Sequence, residues 1–307
     1  MTPQPWSELH IPDLTGRLAV VTGANAGTGF ETARALAGRG ATVILACRNA
    51  DKAHAAMDAI RATRPEARLE FEPLDLGALA SVRAAAKAIG DRHPRIDLLI
   101  NNAGVMVPPR GRTADGFETQ IGTNHLGHFA FTGLLLECLL AVPGSRVVTM
   151  SSTAHRMGRM RFDDLHFERG YRPWAAYGQS KLANLLFTYE LQRRLQRAGA
   201  ATLAVAAHPG YARTELQRHA NRSRLNRILF APFTALLSHD AQRGALPLLR
   251  AAVDAGVRGS DYYGPNGYLE LVGDPERVSS NARSRNEADQ RRLWQVSESL
   301  TGVAYPL

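Results

Sequence analysis

The chain has 307 residues, 45% of them hydrophobic and 21% charged, which is apolar enough for a sizeable core and too uncharged for a disordered chain. Basic residues number 37 against 28 acidic ones, a net charge of +9, but the arginines are scattered and do not form a nucleic-acid-binding stripe. Two cysteines without metal spacing, no apolar run of about 18 residues and no signal-like N-terminus lead to the expectation of a reduced, cytoplasmic globular protein without a transmembrane segment.

After a polar, proline-containing lead (1–15), residues 17–22 read as a buried strand. It runs into Gly23-Ala24-Asn25-Ala26-Gly27-Thr28-Gly29 and then a helical pattern ending at Gly38 or Gly40. Strand, glycine turn and helix form the context of a dinucleotide-binding loop, where glycines admit a pyrophosphate and the helix N-terminus favours its charge. The spacing, G-x-x-x-G-x-G, is wider than G-x-G-x-x-G. A second strand (42–46) closes a βαβ unit and ends in Cys47-Arg48-Asn49. An acidic side chain here would bind the ribose of NAD, whereas Arg48 suits the 2′-phosphate of NADP.

Helix 51–62 and strand 69–74 follow, and the strand ends in Asp75-Leu76, a carboxylate and an amide suited to an adenine edge. Helix 79–90 and strand 97–100 lead to Asn101-Asn102-Ala103-Gly104, where small residues let the backbone approach a cofactor. Residues 116–140 read as one long helix with Asn124 in its apolar middle. That amide is either a satisfied core group or the holder of a water that feeds protons to Lys181. His125 and His128 lie three apart without a carboxylate or third ligand at usable spacing, so no metal is expected. Strand 146–150 ends in Ser151-Ser152, at the edge where ligands of open parallel sheets sit; either hydroxyl also suits a turn cap.

A loop-rich stretch (153–174) precedes Tyr177-Gly178-Gln179-Ser180-Lys181 and an apolar run (182–191) free of proline and glycine, which together read as one buried helix. Residues four apart share a helix face, so Tyr177 and Lys181 point the same way. An ammonium near a phenol lowers its pKa, and the pair is a candidate general acid/base. Only three of the 37 basic residues are lysines (Lys52, Lys87 and Lys181), so a lysine here marks a place where a guanidinium will not serve. Strand 201–207 is broken by His208-Pro209-Gly210, where a nicotinamide would lie. Basic and apolar residues alternate through 215–238, which reads as an amphipathic substrate lid within 211–240, with a membrane-surface helix as the other reading. Residues 268–272 read as a last strand and 284–299 as a helix packed on the domain. No internal repeat or linker appears, so 1–307 is expected to be one domain.

Taken together, Thr22-Gly23-x-x-x-Gly27-x-Gly29, Asn101-Asn102-Ala103-Gly104, Asn124, Ser152, Tyr177-x-x-x-Lys181 and Pro209-Gly210 resemble a short-chain dehydrogenase/reductase over residues 14–303. Thr113-Ala114-Asp115-Gly116-Phe117-Glu118, Asn124-His125-Leu126-Gly127-His128-Phe129, Ser180-Lys181-Leu182-Ala183-Asn184 and Arg292-Leu293-Trp294 resemble its retinol-dehydrogenase-like branch. The resemblance implies an α/β fold: a single-domain, Rossmann-type, doubly wound parallel sheet of about seven strands with helices on both faces. It implies a catalytic set of Asn124, Ser152, Tyr177 and Lys181, with Ser152 holding the substrate oxygen. Cofactor contacts would come from Gly23, Asn25, Ala26, Gly27, Thr28, Gly29, Arg48, Asp75, Leu76, Asn102, Ala103, Gly104, Tyr177, Lys181, Pro209, Gly210 and Thr214. The implied activity is NADP(H)-dependent hydride transfer, with NAD the less favoured cofactor, to or from a hydrophobic aldehyde, ketone or alcohol. The alternative is a non-catalytic NADP-binding redox sensor or scaffold. Related proteins often pair through the helix that carries Tyr177, so a homodimer is a possible assembly. Three departures stand out. Thr28 replaces an apolar residue at a position expected to contribute mainly backbone, Ala26 replaces a phosphate-binding serine, and the N-terminal membrane anchor of animal relatives is missing, which leaves the substrate open.

Overall fold

The computed structural model describes residues 5–211 and 240–307. Eight strands form one sheet: β1 (Leu18–Thr22), β2 (Thr42–Cys47), β3 (Arg68–Pro73), β4 (Leu98–Asn101), β5 (Arg146–Met150), β6 (Leu203–Ala207), β7 (Tyr262–Pro265) and β8 (Pro275–Arg277). Their order is β3-β2-β1-β4-β5-β6-β7-β8, parallel throughout except for the antiparallel β7–β8 pair. Strands β1 and β4 are buried along their whole length. That is why they read as unbroken apolar runs instead of alternating ones.

Helices cover both faces. On one, α1 (Gly27–Ala37), α2 (Ala50–Thr63) and α8 (Ala241–Val253) pack Leu36, Ile60 and Leu248 against Val21 and Leu45. On the other, α3 (Leu79–Arg92), α5 (Gly127–Leu134), α7 (Pro173–Arg197) and α9 (Glu287–Thr301) bury Ile89, Phe129, Phe187 and Trp294 over Val20 and Leu99. Short α4 (Thr119–Ile121) and α6 (Leu136–Leu140) flank α5. Among the described residues no helix is long and apolar enough to cross a membrane.

The sheet order reverses beside β1, with β2 on one side and β4 on the other. Such a switch point opens a crevice at the carboxyl ends of the strands. The register aligns those ends: Thr22 lies opposite Ala46, Asn101 opposite Thr149, and Met150 opposite Ala207. The residues that follow each strand therefore gather along one edge.

Two sequence expectations are corrected. The helix expected over 116–140 is not continuous: α4 passes into a π turn over Gly122–Leu126, in which the Gly127 amide donates to the Gly122 carbonyl five residues back, and the chain breaks again at Leu135. Three glycines explain the detour. A Cβ on Gly122 would come within 2.5 Å of Thr113, on Gly127 within 2.4 Å of the Leu76 carbonyl, and on Gly133 within 2.6 Å of Tyr305. Residues 268–270 form a tight turn, not a strand, and the seventh strand lies earlier at Tyr262–Pro265. Helix α8 carries Pro247 inside it, which hid its periodicity. The expected lid (211–240) and Thr214 lie outside the described residues, Tyr211 and Asp240 excepted.

Candidate active site

The glycine turn is shaped by contacts that leave no room for side chains. Gly23 and Gly27 have φ of 65° and 56°, a region favourable only to glycine. A Cβ on Gly29 would lie 2.4 Å from the Gly23 carbonyl and 2.5 Å from Asn102 Nδ2. Asn102 staples the turn: its Nδ2 donates to the Thr22 carbonyl (2.9 Å), and its Oδ1 accepts from the Thr28 hydroxyl (2.9 Å). Thr28, expected to contribute mainly backbone, therefore contributes its side chain as well. Below the turn the Cys47 thiol lies beside the amides of Ala24 and Asn25, and burial pushes its pKa up to about 11. Helix α1 begins directly at Gly27, and its N-cap, Ala26, offers no side-chain acceptor. The first amides of α1 are left to an incoming anion.

Further along the edge, Arg48 is exposed, with Nη1 3.9 Å from Asp75 Oδ2. The other oxygen of Asp75 accepts from the Gly77 amide at 2.8 Å. Leu76 is buried, and its carbonyl faces Gly127.

The candidate catalytic residues converge. Helix α7 starts at Pro173, where a missing N–H costs nothing, and places Tyr177 in its second turn. Ser152 follows β5; its hydroxyl lies toward the Tyr177 phenol and caps the turn Thr153–Arg156 by accepting from the Ala154 amide. The capping reading of Ser152 therefore holds, with the same hydroxyl turned toward Tyr177. Ser151 instead turns inward and donates to the Lys181 carbonyl (2.9 Å). Lys181 is buried, 5.8 Å from the centre of the Tyr177 ring, and Nζ donates to the Met150 carbonyl at 3.2 Å. A Cβ on Gly104 would sit 2.9 Å from Asn124 Oδ1 and 3.6 Å from Lys181 Nζ, so these three residues meet.

Asn124 is fully buried and satisfied. Its Oδ1 accepts from the Val105 amide (2.7 Å), and its Nδ2 donates to the Val105 carbonyl (3.0 Å) and the Ser180 hydroxyl (2.9 Å). Its main-chain carbonyl accepts from His128 Nδ1 at 3.0 Å, which fixes that ring's hydrogen on Nδ1. His128 Nε2 then takes the hydroxyl hydrogen of Thr22 (2.9 Å), while Thr22 Oγ1 accepts from the amides of Asn102 and Ala103. One chain of directed hydrogen bonds thus joins the glycine turn to the π turn. His125 is occupied by Ser297 at 2.8 Å, so both histidines serve the packing of this helix.

Burial dominates the electrostatics. It pushes the Tyr177 phenol up to about 12, partly offset by the Ser152 hydroxyl, and pulls Lys181 down to about 8. The sequence expectation that Lys181 lowers the Tyr177 pKa is therefore reversed in the protein alone, because loss of water outweighs an ammonium directed at Met150. Burial likewise holds His128 near 4.

Pro209 and Gly210 follow β6 beside this set, for the Ser151 amide donates to the Ala207 carbonyl at 2.7 Å. Gly210 has φ of 67°, and a Cβ there would lie 2.4 Å from the Leu271 carbonyl. Of the residues named from sequence, only Thr214 falls outside the described chain. Sequence reading assigned no part to Val105, Ser180, Thr22 or His128 in holding Asn124. The one available signal was polar groups crowded into an apolar helix. A separate cleft of about 280 Å³, lined by Glu8, Arg34, Arg39 and Arg64, lies at the far end of α1 from the glycine turn and takes no part here.

This fold and this site define a nucleotide-dependent oxidoreductase of the doubly wound type. A family model described as short chain dehydrogenase matches residues 17–225, and the chain belongs to that family. Within it the chain is a retinol-dehydrogenase-like member. It is 43% identical to human retinol dehydrogenase 12 over 294 residues, 95% of this chain and 88% of that one. It is 40% identical to mouse polyprenol dehydrogenase over 297 residues, 95% and 86% of the two chains. Among solved structures it resembles an uncharacterized protein from Mycobacterium paratuberculosis, at 42% identity and TM-score 0.83 over 99% of this chain and 100% of the other. It also resembles a protein assigned as an NAD(P)-dependent gluconate 5-dehydrogenase from Beutenbergia cavernae, with NADP bound at low occupancy, at 26% identity and TM-score 0.62 over 79% and 92% of the two chains.

Proposed function

We propose that this chain is an NADP(H)-dependent oxidoreductase acting on a hydrophobic aldehyde, ketone or alcohol, with Tyr177 as general acid/base. The observation that carries the reading is the convergence of Ser152 on the Tyr177 phenol, with Lys181 one helical turn away and Gly104 and Asn124 closing behind it. The glycine turn, with no space for Cβ atoms and a helix N-terminus aimed at its centre, fits a dinucleotide pyrophosphate. When bound, the dinucleotide supplies or accepts the hydride. Arg48, exposed at the end of β2, would hold the 2′-phosphate, and Asp75 and Leu76 would border the adenine. Bound NADP in the Beutenbergia relative supports that choice. The names of the retinol and polyprenol dehydrogenases support an apolar substrate.

The chain's own groups then divide the work. Ser152 orients the substrate oxygen, and the protonated phenol of Tyr177 donates to it. Burial raises the Tyr177 pKa, so the phenol carries a proton at neutral pH and can donate it. Lys181 and Asn124 hold the frame in which that phenol sits. Two free cysteines support a reducing, cytoplasmic setting. Helix α7 is buried from Ala176 to Gln192 and covered by α9, so any pairing of copies uses another surface.

The test is NADPH and NADH oxidation by purified protein with apolar aldehydes and ketones of increasing chain length. The expected result is turnover that grows with chain length, prefers NADPH, and shifts toward NADH in Arg48→Asp. Equal use of NADPH in that variant would refute the role of Arg48. Tight NADPH binding without turnover of any carbonyl would favour a cofactor sensor.

A further inference from the structure

The turn that replaces the expected last strand has an unusual backbone. Leu269 and Glu270 are consecutive non-glycine residues in the left-handed region, with φ of 52° and 58°. Residues with side chains adopt that region rarely, and strain of this kind persists only where the surroundings hold it in place. Here the twist directs the Glu270 carboxylate inward, and each of its oxygens meets a different strand-end loop.

Glu270 Oε1 accepts from Arg156 Nη2 at 2.7 Å. Arg156 closes the turn that Ser152 opens, and the same Nη2 donates to the Ser279 carbonyl at 3.1 Å. Glu270 Oε2 lies 3.3 Å from Nε2 of His208, a fully buried ring. His208 Nδ1 accepts from the Gly210 amide at 3.3 Å, so the ring's hydrogen belongs on Nε2, facing the carboxylate. Gly264 closes the space beyond: a Cβ there would lie 1.9 Å from His208 Nε2. The turn's backbone adds a further tie, the Tyr211 amide donating to the Leu271 carbonyl at 2.8 Å.

We propose that Glu270 is a positioning residue that spans the Ser152 loop and the Pro209–Gly210 loop and sets their separation. One loop carries the group for the substrate oxygen, and the other backs the nicotinamide seat. The inference rests on the cofactor reading above. A carboxylate suits this position because one oxygen accepts from Arg156 and the other lies within ion-pair distance of His208 Nε2. An amide in its place presents one NH2 group, which faces either the Arg156 guanidinium or the Nε2 side of His208. Turning the imidazole to the other tautomer relieves the second conflict only by depriving the Gly210 amide of its acceptor.

The test measures binding of two ligands to wild type, Glu270→Gln and Arg156→Gln: NADPH, and 2′-phospho-ADP-ribose, which shares the adenosine half and lacks the nicotinamide. Glu270→Gln is expected to weaken NADPH by about tenfold while leaving 2′-phospho-ADP-ribose within about twofold of wild type. Arg156 is half exposed at 47%, against 22% for Glu270, so its variant disturbs packing less, and it is expected to show a smaller loss of the same selectivity. Because the two residues act through one carboxylate, the double variant should lose no more than Glu270→Gln alone. Unchanged NADPH binding in both variants, or equal loss of both ligands, would overturn the proposal. A wild-type protein that binds neither ligand would overturn the cofactor reading beneath it.

Discussion

Two helices meet at the candidate site and are built in opposite ways. Helix α7 runs unbroken for 25 residues and is buried all round from Ala176 to Gln192. The chain from Thr119 to Leu140 is cut by a π turn and again at Leu135. In α7 regularity is the device, since a spacing of four sets Tyr177 above Lys181 without further help. In the broken helix the detour is the device. The π turn directs Asn124 to Val105 and Ser180, and leaves its carbonyl to His128. The proposed acid/base pair sits on the regular element, and the irregular one frames it.

The largest effect expected from disturbing this arrangement is on Lys181. Lys181→Met should lower turnover by at least about 10²-fold, the low end for losing acid/base function. The same change should stabilise the fold near neutral pH by up to roughly 3 kcal/mol, because the native pKa of about 8 lies below the ordinary value. The unfolded chain binds the lysine proton more tightly, so wild-type stability should rise between pH 8 and about 10.4, and the variant should lose that slope. Urea melts across that range check both signs. A variant that loses activity and stability together would show that Lys181 is chiefly a structural group.

Asn124→Leu comes next. It strands the Val105 amide and carbonyl and the Ser180 hydroxyl, each costing about 1–3 kcal/mol when buried without a partner. Both stability and turnover should fall, in contrast with Lys181→Met. Gly127→Ala should cost less, about 1–3 kcal/mol, by forcing the π turn away from the Leu76 carbonyl. NADPH affinity should weaken with it, since Leu76 borders the proposed adenine site. Gly90→Ala, in helix α3 with Cys138 Sγ no nearer than 3.7 Å, controls for loss of a helical glycine alone. A further expected effect is acid sensitivity. His125 sits near 3 and His128 and His155 near 4, so the unfolded chain takes up protons through about pH 6.5 while the native one does not. Stability should therefore fall as pH drops from about 6.5 toward 4, visible as a declining melting temperature.

The same contrast explains what the sequence revealed. Regular spacing announces itself: the Tyr177–Lys181 pair, the glycine turn and the parallel strands were legible because each follows a local rule of period or turn chemistry. The π turn was not, because apolar residues around Asn124 fit a straight helix equally well. Only long-range contacts of Gly122, Gly127 and Gly133 disfavour that straight course. Leu269 and Leu271 similarly imitated strand alternation, although their backbone is turned by an ion pair to Arg156, more than a hundred positions away. Arg48 and Asp75 were found by position, and Thr28 was underrated because its partner, Asn102, lies 74 residues on. Burial reversed the expected pKa of Tyr177, since charge pairs can be inferred from spacing and desolvation cannot.

The most direct test of the central claim is Tyr177→Phe, which removes one hydroxyl and leaves the ring in its packing. NADPH affinity and the single-turnover rate with an apolar aldehyde would be measured side by side. Unchanged affinity with a rate lower by at least about 10²-fold is the predicted result. An unchanged rate would contradict the assignment of Tyr177 as the proton donor.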